Sequence, residues 1–146
     1  MDDVSYQRGN ELDLDEVIGL YVASTLGERR PVAERETMRA MLANANLVIT
    51  ARDGERLVGI ARSMTDFVYV AYLSDLAVHT EYQRRGIGVE LIRKTREALA
   101  PAARIVLLSA PAAVEYYPRI GFTRHPSAWT LNPEHPFPVR QKGPTS

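Results

Sequence analysis

The sequence predicts an α/β domain: one mixed, twisted sheet of six to seven strands with helices on both faces. Three observations carry this. Several segments of β-type composition precede residue 79, and the last three are joined by short turns. The stretch Leu73–Leu99 then changes its apolar period from strand-like to helical across a glycine-bearing turn. Finally, an apolar segment at 104–110 follows that helix. A strand reached through a helical crossover runs parallel to the strand it left. The order read along the chain is β-α-α-β-β-β-α-β-α-β.

Val4 to Gln7 suits a short first strand, and Arg8-Gly9-Asn10 a turn. Asp13 is a good N-cap for a helix from Leu14 to about Thr25, with Asp15 and Glu16 complementing its dipole. Val17, Ile18, Leu20, Tyr21 and Ser24 form its inner side, and Gly27 is its expected stop. Glu28-Arg29-Arg30-Pro31 reads as a solvated, charged connector. A second helix is expected from Ala33 to Asn44, with Met38, Met41 and Leu42 turned inward.

Asn46–Arg52 and Arg56–Met64 are strand-like, and Asp53-Gly54 between them is a hairpin signal. After the turn Thr65-Asp66-Phe67, the segment Tyr69–Val78 suits a mostly buried strand. Alternation puts Tyr72, Ser74, Leu76 and Val78 on one face and Leu73, Asp75 and Ala77 on the other. From Ile87 the stripe Ile87, Leu91, Thr95, Leu99 marks an amphipathic helix that Pro101 ends. Arg104–Ala110 is the next strand, Ser109 and Pro111 open a short helix, and Phe122–Leu131 is the expected last strand. Residues 1–131 are therefore expected to form a single domain, followed by a proline-bearing tail over 132–146.

Composition narrows the function classes. The chain has 146 residues, with 18 basic and 18 acidic side chains. The balance gives no electrostatic case for nucleic acid or an anionic membrane. It also leaves little repulsion against self-association, which is compatible with a homodimer. With no cysteine there is no disulfide, thiolate nucleophile or thiolate metal site. No metal-ligand spacing is present, and no apolar run reaches the about 18 residues of a membrane span. The polar, acidic start MDDVSYQRGNELD is unlike a signal peptide, so a cytoplasmic location is expected.

Between the fourth strand and its helix lies Gln83-Arg84-Arg85-Gly86-Ile87-Gly88. A helix N-terminus carries unpaired N–H groups and partial positive charge. Glycines let the backbone approach a ligand, and two arginines add formal charge. These are the parts of a phosphate cradle. The pattern is neither a Walker A, which needs Gly-Lys-Ser/Thr, nor a G-x-G-x-x-G, whose third glycine is replaced by Leu91.

Gln83, Gly86 and Gly88, after a strand ending Leu76-Ala77-Val78-His79, resemble the acyl-CoA pyrophosphate loop of the GNAT superfamily of N-acetyltransferases. Ala113-Val-Glu-Tyr-Tyr-Pro-Arg-Ile-Gly-Phe122 resembles that family's A-x-x-F-Y-x-x-x-G-F segment. The resemblance spans roughly residues 46 to 131 and implies acetyl-CoA as cosubstrate, with no metal. It implies that the main chain of Leu76, Ala77 and Val78 lines the pantetheine arm, in a gap where this strand and the next splay apart. It implies that Gln83 to Gly88, Ile87 included, hold the pyrophosphate, with Arg84 and Arg85 assisting. Ala113 and Tyr117 complete the implied cofactor contacts. Because the family's first two helices border its acceptor site, the resemblance also makes Glu28, Arg29 and Arg30 candidate substrate contacts, as the alternative to a solvated connector.

Transfer from a thioester to an amine needs a neutral amine, a donor for the developing oxyanion and a proton for the departing thiolate. The resemblance gives Tyr117 the last role, which a phenol fills without ionising first. Asp75, a carboxylate inside an apolar strand, is the candidate base, its pKa expected to rise through burial; the other reading is a structural Asp bonded to neighbouring backbone or to an arginine. Glu115, Tyr72 and His79 are lesser candidates. Without a cysteine, direct attack by the amine is implied.

Two departures from the family pattern are Ala110, where the family often has asparagine, and Pro118, where a helical residue is usual. They keep open an alternative, a catalytically silent CoA-binding regulatory module. A protein-interaction domain is the third class. The leading expectation is an N-acetyltransferase acting on a primary amine of a small molecule or peptide.

Overall fold

The computed structural model describes residues 3–138. The chain forms two compact units, one ending at Ala110 and one beginning at Pro111. The first unit holds a five-stranded sheet in sequential order: β1 (Val4–Arg8), β2 (Leu47–Asp53), β3 (Arg56–Thr65), β4 (Val70–Val78) and β5 (Arg104–Val106). The first four strands are antiparallel neighbours, and β5 joins β4 in parallel. The mixed sheet follows from the connections. Short turns reverse the chain between β2 and β3 and between β3 and β4. A two-helix connection brings β2 back antiparallel to β1, and the single long helix before β5 carries the chain back to the starting end of β4.

Helices cover both faces. On one lie α1 (Leu14–Ala23) and α2 (Arg35–Ala43). Asp13 caps α1 through its side chain, accepting from the Asp15 N–H at 3.3 Å. Val17, Leu20 and Tyr21 of α1 and Met38 and Leu42 of α2 form one buried cluster with Val48, Ile60 and Ala77 of the sheet. On the other face lies α3 (Ile87–Glu97). Leu91 of α3 is fully buried, and Gly59 of β3 makes room for it. A Cβ at Gly59 would stand 3.0 Å from Leu91 Cδ1 and 3.1 Å from Ile87 Cγ2. This glycine sets how closely the start of α3 lies on the sheet.

Three expectations are corrected. The connector at residues 28–31 is not simply solvated: Leu26–Arg29 forms a 3-10 turn, and Arg30 reaches into the sheet. The strand expected over 104–110 ends at Val106, because only Arg104, Ile105 and Val106 find partners on β4. The last expected strand, Phe122–Leu131, has no ladder partner among the described residues, so the sheet has five strands rather than six or seven. Apolar residues there fit a strand pattern, but a pattern without a pairing edge makes no strand.

The second unit contains a 3-10 turn at Pro111–Ala113 and a single-turn helix α4 (Tyr116–Arg119). Pro118 lies in the first turn of α4, where its missing N–H removes no helical hydrogen bond, and the helix ends one residue later at Arg119. The last part of the tail expected over 132–146, beyond residue 138, lies outside the described residues.

Candidate active site

The site grows out of β4. Its ladder with β3 is continuous except at one point: Arg62 pairs with Asp75 and Ser63 with Leu73, so Ser74 is bulged out without a partner. On the other side β4 pairs with β5 only at Val70, Ala71 and Tyr72. From Leu73 to Val78 that side of β4 has no strand beside it, among the described residues. The two parallel strands thus part company just before the bulge. Leu76 and Val78 are half-buried and Ala77 is buried, as alternation requires.

At the far end of this free stretch stands the glycine loop. Gly86 has φ +80° and is the N-cap of α3, which has no side-chain cap. Nothing lies within 4 Å of where a Cβ on Gly86 would be. An uncapped helix N-terminus behind an open glycine suits a phosphate. Gln83 ties the loop back to β4 by donating from Nε2 to the Val78 carbonyl at 3.2 Å. Arg85 donates to the Glu81 carbonyl at 3.0 Å and stacks on the Tyr82 ring at 4.9 Å, with Arg56 on the same ring at 5.4 Å. Tyr82 in turn donates to Asp53 at 2.5 Å. Arg84, at φ +66°, is solvent-exposed. Ile87 is buried beneath the loop and packs toward Gly59.

Behind the bulge, Asp75 is fully buried and fully engaged. Arg62 Nε donates to its Oδ2 and Arg30 Nε to its Oδ1, both at 2.6 Å. The Tyr21 hydroxyl also donates to Oδ2 at 2.6 Å. Burial by itself would push the Asp75 carboxyl up, but Arg62, then the Tyr21 hydroxyl and Arg30, outweigh it and hold it below the usual carboxylate range. Tyr21 moves the other way: burial and the Asp75 charge raise its pKa far above that of a free phenol. The expected rise of the Asp75 pKa is therefore reversed. A carboxylate that accepts three strong hydrogen bonds has little proton affinity left for an amine.

Sequence reasoning allowed Asp75 an arginine partner but named neither Arg30 nor Arg62, and it missed Tyr21. Arg62 alone left a signal, a cation in the middle of an apolar strand. His79 is also occupied: Nδ1 accepts from the Glu81 N–H at 3.1 Å, and Nε2 lies 3.0 Å from Arg56. Tyr72 sits at the last β4–β5 pair, half-buried.

Tyr117 and Ala113 belong to the second unit. Tyr117 is half-buried, edge-on to Tyr116 at 5.2 Å and to Phe122 at 5.3 Å. Burial, then Tyr116, raises its pKa, so its phenol keeps its proton through neutral pH. Glu115 is exposed.

A mixed sheet whose parallel strands part beside an uncapped helix N-terminus can hold an extended ligand that ends in a phosphate. Residues 23–130 match the family described as "Acetyltransferase (GNAT) domain", and the chain belongs to that family. It is 28% identical, over 86% of its own length, to "GCN5-related N-acetyltransferase 2, chloroplastic" of Arabidopsis thaliana. The chain spans about half the length of the curated relatives it matches, 56% of that one. A GNAT-family acetyltransferase structure from Streptococcus pneumoniae superposes with a TM-score of 0.69 at 23% identity, covering 90% of this chain and 99% of that one. The structure of aminoglycoside N-acetyltransferase AAC(6')-Iy in complex with CoA has a TM-score of 0.69 at 14% identity, covering 92% and 97%. These structures share the fold.

Proposed function

We propose that the protein transfers an acetyl group from acetyl-CoA to a primary amine of a small molecule or peptide, by direct attack. The observation that carries this reading is the free side of β4, six residues long, leading straight to the uncapped N-terminus of α3. The free backbone suits an extended arm, and the helix end suits a pyrophosphate. Membership of the acetyltransferase family supports it. When bound, acetyl-CoA would supply the activated acyl thioester.

The chain's own residues divide the work. The main chain of Leu76, Ala77 and Val78 binds the arm, and the N–H groups at Ile87 and Gly88 bind the phosphates, with Arg84 adding charge. Arg85, held on Tyr82, keeps the loop in shape. Tyr117 protonates the leaving thiolate. Asp75 serves as a positioning residue that fixes the bulge, and the acceptor amine deprotonates to solvent. In this reading the protein works in the cytoplasm, and its balanced charge is compatible with a homodimer. Among the described residues no helix is long and apolar enough to cross a membrane.

Calorimetric titration with acetyl-CoA and with CoA, followed by an amine screen with thiol detection, tests this. Micromolar binding of acetyl-CoA and amine-dependent thiol release are expected. Binding without turnover of any amine would leave the silent regulatory module. A folded protein that binds neither ligand at millimolar concentration would sink both readings.

A further inference from the structure

The cluster at the β4 bulge is not charge-balanced. Arg30 and Arg62 both bind Asp75, and no other carboxylate pairs with either among the described residues. Tyr21 is held neutral by its raised pKa. One guanidinium charge is therefore in excess. Arg62 is saturated and sealed: it also donates to the Met41 carbonyl at 2.9 Å and to Ser74 Oγ at 3.0 Å, and its side chain is 6% exposed. Arg30 is different. It donates to Asp75, to its neighbour's carbonyl at Arg29 and to the Ser74 carbonyl at 2.8 Å, and its side chain is 22% exposed. These bonds use three of the five N–H groups of a guanidinium.

Position makes this surplus relevant. Ser74 is the bulged residue, two beyond Tyr72 where β4 and β5 last pair. Arg30 thus sits on the carbonyl of the residue where the gap opens. It comes from the turn between α1 and α2, and on that turn the exposed Glu28 and Arg29 cancel in formal charge. A half-sequestered guanidinium without its own anion is costly, and a planar fork of donors matches a carboxylate.

We propose that Arg30 recognises an anionic group on the acceptor, so that the substrate is an amine that also carries a carboxylate, such as an amino acid or the free end of a short peptide. This rests on the acyltransferase reading and names its substrate class. Polycationic amines are disfavoured by the same charge.

The test uses matched acceptors: glycine, phenylalanine and glutamate, and dipeptides of each, against their C-terminal carboxamides. The quantity read is the carboxylate-to-carboxamide ratio of kcat/KM, compared between the wild type and Arg30→Gln. That comparison cancels the different basicities of the amines. The ratio should fall about tenfold or more in Arg30→Gln, the loss of a charged hydrogen bond, and Arg30→Lys should recover part of it. A merely structural role would lower both members together and leave the ratio unchanged, overturning the proposal. Turnover confined to uncharged or polycationic amines would overturn it as well, whereas turnover of no amine despite acetyl-CoA binding would fault the acyltransferase reading on which it rests. Failure to bind acetyl-CoA in the calorimeter would instead fault the acyltransferase reading beneath it.

Discussion

Arg62 and Asp75 face each other across the β3–β4 ladder, and Arg62 Nε stands 2.6 Å from Asp75 Oδ2 with both side chains withdrawn from water. Arg30 completes the grip from the α1–α2 turn. Asp75→Asn removes the charge that both guanidiniums share. It should lower stability by about 3–5 kcal/mol, the range for breaking a buried pair. Urea denaturation of the two proteins at pH 7 measures this.

The same carboxylate shapes the response to acid. Asp75 ionises at a lower pH in the folded chain than in the unfolded one. Its contribution is therefore complete above the unfolded value of about 4. It is lost as pH falls through the lower folded value, because the unfolded chain takes up the proton first. Denaturation curves between pH 7 and pH 2 should steepen in that acidic window for the wild type, and this component should be missing from Asp75→Asn.

Gly59→Ala tests the seat of α3. The new methyl meets Leu91 Cδ1 at 3.0 Å and Ile87 Cγ2 at 3.1 Å, on side chains that are themselves buried. Overpacking should cost about 1–3 kcal/mol. Ile87 opens α3, so lifting it should also weaken CoA binding. A calorimetric Kd equal to that of the wild type would mean that the loop is indifferent to the helix beneath it.

Gly86→Asp should abolish CoA binding. The position needs φ +80°, and an anionic side chain would stand where the phosphates are proposed to lie. Calorimetry against CoA reads this directly, and retained affinity would place the phosphates elsewhere.

Tyr117→Phe should lower kcat by about a hundredfold, the smaller end of a general-acid effect, with CoA affinity nearly intact. Its raised pKa predicts that the wild-type rate keeps its proton donor into mildly alkaline solution. An unchanged kcat in the variant removes Tyr117 from the chemistry.

What could be read from the chain was what is local. The strand, turn and helix from Val70 to Glu97 lie close to their expected bounds, because alternation, two glycines and a helical stripe are written consecutively. The hairpin at Asp53-Gly54 is equally local. Arg30 and Asp75 meet across 45 positions, and no periodicity announces such a pair. The Asp75 pKa went the other way for the same reason: an apolar strand reveals burial but conceals the cations behind it. The short β5 and the absent last strand mark a further boundary. Leu107 and Leu108 fit a strand by composition, yet a strand needs a partner, and beyond Val106 the chain no longer pairs with β4.

The parted strands also create an adhesive surface. Among the described residues, six of the nine residues of β4 lack a ladder partner on one side, and an unpaired strand invites any extended chain, a second copy included. The bulge at Ser74 interrupts that template, and the Arg30 guanidinium occupies its carbonyl. Irregularity at this point therefore guards the empty protein against pairing with itself. A tightly held cosubstrate would act as a stand-in strand, so saturating CoA should suppress aggregation on heating as well as raise the Tm.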